Sequence, residues 1–102
     1  MGATAFTATA TGTDMNEAFR AAREEAAHEY GRGGYSGSVY EKDHTVLIDS
    51  AMGTESDAST LAWDLLRADD ARISNKWGPA GALPFKTAEG EHGWLFFGYA
   101  SC

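Results

Sequence analysis

Ser36, set between glycines in "GYSGS" (residues 34–38), is placed as an exposed nucleophile would be, and Arg32, four residues earlier, is a cation suited to pairing with an anion. The surrounding stretch "EYGRGGYSGSVYEK" (29–42) therefore invites two chemical readings: a serine nucleophile on a sharp turn, or a backbone cradle for phosphate. Context argues against both. A nucleophile elbow needs glycine at its fifth position and runs from strand into helix, whereas the fifth residue here is Ser38 and the stretch follows a helix. A phosphate cradle leads glycines into a helix N-terminus, where unpaired N–H groups and the positive end of the dipole face the anion. Here the glycines come after a helix, the partial charge beside Gly31 is negative, and the spacing does not match GxxxxGK[ST]. Gly31 is instead expected to be a left-handed cap stopping the helix after Tyr30, and Ser36 to open a strand. What remains is Arg32 flanked by Tyr30 and Tyr35, a set that can stack on a planar group and pair with an anion.

A second cluster, "NKWGPAG" (75–81), offers the Lys76 cation and the Trp77 ring beside Gly78, Pro79 and Gly81, which would let a ligand approach backbone closely. The predicted ligand-binding set is therefore Arg32, Tyr35, Ser36, Lys76 and Trp77, for a small anionic, nucleotide-like ligand. Both loops precede strands, so they meet only if those strands are neighbours. The competing structural account makes the first loop a cap and turn with tyrosines at the core rim, and makes Trp77 a plug for one end of the core.

Metal and catalytic chemistry have less to stand on. His28, His44 and His92 are far apart, and Glu24 with His28 is an i, i+4 pair lacking a third ligand, so no metal site and no cofactor are predicted. An enzyme would have to use Glu24, Glu25 and His28, the one compact titratable cluster. No Ser-His-Asp or Cys-His set is identifiable, and no catalytic residue is predicted.

The bulk composition narrows the partners. A formal net charge of −7 with eight scattered basic residues argues against a nucleic-acid polymer, which is bound by clustered Lys and Arg. The single cysteine, Cys102, allows no intramolecular disulfide and fits a reducing, cytoplasmic setting. The opening "MGATAFTATATG" has no basic n-region and no long apolar run, so neither a signal peptide nor a membrane span is expected. Phe6 replaces the Ser or Thr of a myristoylation signal.

The elements that must position these residues follow from periodicity. In Ala3 to Thr11, Phe6, Ala8 and Ala10 share one face and Thr7, Thr9 and Thr11 the other, which is strand alternation. Asp14 and Glu17 read as a capping box opening a helix to about Tyr30, with Met15, Ala18, Phe19, Ala22, Ala26 and Tyr30 inward. A hairpin of two central strands, Ser36 to Lys42 and Thr45 to Asp49, is expected around Asp43-His44, pairing Val39 with Ile48 and Tyr40 with Leu47. Thr54 or Ser56 caps a second helix whose stripe is Ala58, Leu61, Ala62, Leu65 and Leu66, with Trp63 off it. Ala82 to Thr87 reads as an edge strand because of Pro84, and Trp94 to Ala100, apolar on both faces, as a central one. With no internal repeat or linker, residues 1–102 form one domain of the α+β class. It is expected as a two-layer sandwich with both helices on one face of an antiparallel or mixed sheet, in the order β-α-β-β-α-β-β.

In "GYSGSVYEKD", "KWGPAGALPF" and "GWLFFGYAS" the chain resembles small uncharacterised proteins encoded by actinobacterial phages and their relatives, a resemblance spanning most of its length. It implies an accessory or anti-defence factor in the host cytoplasm, binding rather than catalysing, that sequesters a nucleotide-like signal or masks a host protein. The second of these predicts an exposed aromatic and acidic surface around Trp63 or the Leu83 to Phe85 strand. Self-association into a homo-oligomer is expected from the off-stripe aromatics and the edge strand.

Overall fold

The computed structural model describes residues 2–31, 36–50 and 52–101. Its elements are β1 (Ala3–Thr11), α1 (Met15–Tyr30), a 3₁₀ turn (Val39–Glu41), β2 (Thr45–Leu47), β3 (Gly53–Thr54), α2 (Glu55–Arg67), β4 (Ala80–Lys86) and β5 (His92–Ser101). The class is α+β with a mixed sheet, and the order β-α-β-β-α-β-β recurs, with β3 in place of one of the two strands expected between the helices. The strands lie in the order β1-β5-β4-β2, with β3 also on β4. Antiparallel ladders join β1 to β5 and β5 to β4, while β2 and β3 run parallel to β4.

Asp14 starts α1 by accepting hydrogen bonds from the Asn16 and Glu17 amides, which would otherwise lack helical partners. Gly31 stops it: its φ of 87° suits glycine, and its N–H bonds the Ala27 carbonyl at 2.8 Å. Its ψ of 174° lies outside the left-handed helical region expected for the cap. Thr54 and Asp57 close a reciprocal capping box on α2, and Asp69, with φ 55°, turns the chain away at its other end.

The helices lie on opposite faces of the sheet, not on one. Phe6, Trp94, Phe96 and Ala100 pack under α1 against Ala18, Phe19, Ala22 and Ala26, while Leu83, Phe85, Leu95 and Phe97 pack under α2 against Ala58, Ala62 and Leu66. Strand alternation makes this inevitable: β5 buries both its even and its odd residues, so each set needs its own cover. Burying each phenylalanine contributes about 1.5–3 kcal/mol. Across the β4–β5 ladder on the α2 face, Gly81 stands opposite Phe97 and Gly93 opposite Phe85. A Cβ at Gly81 would lie 2.7 Å from the Phe97 ring and one at Gly93 2.6 Å from the Phe85 ring, so each ring occupies the space its glycine leaves.

Three further expectations are corrected. No hairpin forms at Asp43-His44: Val39 to Glu41 is a 3₁₀ turn capped by Ser38, and β2 pairs in parallel with β4 on the sheet edge. Val39 and Ile48 consequently belong to different faces. Tyr30 is 60% exposed, not buried with the α1 stripe. Finally, β4 is an interior, buried strand despite Pro84. Ala82 accepts from the Ile48 amide, so alternate residues of β4, Pro84 included, turn their backbone toward the β2/β3 side. Pro84 falls where that side is broken, between β2 and β3, and its missing N–H costs no ladder bond.

Candidate binding site

Lys42 joins the described 36–42 segment to the second loop singled out in the sequence. Its side chain is 1% exposed, and its ammonium donates to the Asn75 carbonyl at 3.2 Å and the Lys76 carbonyl at 3.1 Å. Burial holds its pKa below the ordinary lysine value, partly offset by the negative charge of Asp43. Lys42 thus fixes the end of the 36–42 segment against the 75–76 turn. Arg23 of α1 adds a second tie, donating to the Tyr40 carbonyl at 3.1 Å with its guanidinium 5.1 Å from the Tyr40 ring centre.

Of the five predicted ligand residues, Arg32 and Tyr35 lie outside the described residues. Ser36 is a turn-former and opens no strand: its hydroxyl donates to the Glu41 carboxylate at 2.7 Å and lies 2.7 Å from the Ser38 hydroxyl. Lys76 and Trp77 do pair, with the ammonium 5.4 Å from the indole centre, and Trp77 is 64% exposed. That exposure rules out the plug role for Trp77. Trp63 is 38% exposed, on the flank of α2. No three His, Cys, Asp or Glu side chains gather as a metal site among the described residues, and Cys102 lies outside them. No described helix is long and apolar enough to cross a membrane.

A concavity the sequence reading did not find lies elsewhere. A cleft of about 330 Å³ runs between β1 and the C-terminal half of α1, lined by Ala5–Thr9 on one side and by Ala22, Glu25, Ala26, Glu29 and Tyr30 on the other, with Gly37, Ser38 and Val39 completing the lining. The buried Ala22 and Ala26 contribute small side chains to its helix side. Its charged walls are Glu25 and Glu29, one helical turn apart, and neither is ion-paired to a described basic residue.

The strand side of the cleft is the sheet edge formed by β1 among the described residues. Gly12 N–H bonds the His92 carbonyl, so the even-numbered residues of β1 turn their backbone toward β5 and the odd-numbered ones turn outward. Ala3, Ala5, Thr7, Thr9 and Thr11 therefore aim N–H and C=O groups away from the sheet, with no backbone partner among the described residues. The strand "ATAFTATAT" carries no charge, no proline and no glycine to disrupt pairing there. No family model, curated protein or solved structure matches this chain.

Proposed function

We propose that this protein is a non-catalytic binding module that captures an extended segment of a partner protein as an added strand along β1, with α1 as the second wall of the groove. The observation carrying this reading is the union of a nine-residue edge, without a backbone partner among the described residues, with a cleft beside it. Backbone hydrogen bonds of an added strand supply affinity, and pockets for its alternate side chains supply selectivity. A small anion suits this cleft poorly, because the charges lining it are carboxylates.

A nine-residue peptide display library, panned against the wild type and Thr7→Pro, tests the proposal. The Thr7 amide points outward, so proline there blocks an added strand without costing a β5 ladder bond. Enrichment lost with Thr7→Pro, at an unchanged melting temperature, supports strand capture. Enrichment untouched by the substitution rejects it.

A second reading is favoured by the Lys76–Trp77 pair: a planar anionic ligand stacks on the exposed indole and meets the ammonium. Native mass spectrometry before and after denaturation distinguishes it, through a nucleotide-sized mass that is retained by the wild type and lost in Lys76→Ala. A bare protein in both would discard it.

A further inference from the structure

From the cleft, and resting on the strand-capture reading above, we infer that the captured segment is basic, with Lys or Arg at alternate positions facing α1. Two spacings carry this. Residues four apart on a helix are separated by about 6 Å along its axis, and alternate residues of a strand by about 6.8 Å. Glu25 and Glu29 line one wall of the cleft at the first spacing, opposite the β1 edge that would set the second. An added strand side by side with β1 sends every other side chain toward the α1 face, so two successive inward residues meet the two carboxylates nearly in step.

Charge also decides between occupants. Pairing β1 with β1 of a second copy would bring Glu25 and Glu29 of both copies to the same groove, like charges in a chain already at −7. A basic strand finds those carboxylates complementary and leaves the uncharged edge free to make the ladder.

Fluorescence anisotropy with labelled nine-residue peptides tests this on the full chain. The probes alternate threonine with lysine, with glutamate or with alanine, and a fourth has the lysine peptide's composition with its lysines made adjacent. The lysine peptide should bind about fivefold tighter than the alanine peptide at low salt, with the advantage shrinking as salt is raised. The advantage should vanish in Glu25→Gln/Glu29→Gln and pass to the glutamate peptide in Glu25→Lys/Glu29→Lys. Amide exchange at Ala5, Thr7 and Thr9 should slow on binding.

Three results would overturn the inference. Equal binding of lysine and alanine peptides, abolished by Thr7→Pro, removes the charge selection and leaves strand capture standing. Failure of every peptide to bind, or binding indifferent to Thr7→Pro, removes the underlying reading itself. Sedimentation showing a dimer that is lost with Thr7→Pro and that excludes the peptides assigns the edge to a second copy.

Discussion

The two edges of the sheet are built on opposite principles. At the β2/β3 edge the strands are three and two residues long, a break of five residues separates them, and Pro84 faces the break from the neighbouring strand. Asp43 and Asp49 flank β2, and the capping box of α2 follows β3 directly. Short strands, interruption, proline and charge are the devices by which a sheet avoids unwanted pairing. The β1 edge uses none of them. The contrast between this blunted edge and the longer, uncharged β1 edge, which has no backbone partner among the described residues, is what the strand-capture proposal builds on.

The comparison predicts a ranking of substitutions. Ala8→Pro strikes an inward amide of β1, so it should cost about 1–3 kcal/mol or prevent folding, read as a lower urea midpoint. On the blunted edge, Lys42→Met removes the donor held by the Asn75 and Lys76 carbonyls and should cost about 1–2 kcal/mol near neutral pH. The pH dependence of that difference has a definite sign. Because folding lowers the Lys42 pKa, the unfolded chain holds the extra proton between the folded value and 10.5. Wild-type stability therefore gains relative to Lys42→Met as pH rises through that window, and paired melts at neutral and alkaline pH would show it.

Asp57→Ala opens the capping box that joins β3 to α2 and should cost about 1 kcal/mol, seen in the same denaturation assay. The smallest effect belongs to Thr7→Pro, whose outward amide bonds nothing described; a shift within about 0.5 kcal/mol is expected. If Thr7→Pro proved as damaging as Ala8→Pro, the edge assignment of β1 would be wrong.

Much of this architecture could be read from the chain itself. The β1 alternation, both helices with their N-cap residues, and β5 as an interior strand follow from patterns confined to one segment each. Pairing partners do not. Val39 to Ile48 looks like a hairpin because its apolar residues alternate, but Lys42 is drawn inward by two carbonyls more than thirty residues away, and that contact leaves no local signature. Pro84 suggested an edge, but β4 is interior, and the missing amide is tolerated because it faces a gap in the adjacent strand. The opposite placement of the helices was implicit in the two apolar faces of Trp94 to Ala100, each of which requires a cover. The cleft stayed hidden because Glu25 and Glu29 look like ordinary solvated helix surface until β1 is known to lie beside them.

The facing pairs Gly81–Phe97 and Gly93–Phe85 have a consequence for how this sequence can diverge. With ring carbons 2.6 to 2.7 Å from the space a Cβ would take, neither glycine can gain a side chain unless its aromatic partner shrinks, and a smaller partner alone opens a void. Across related chains the two members of each pair should therefore vary together, a glycine giving way only where the opposite phenylalanine does. Such coupled changes would report the β4–β5 register from sequences alone.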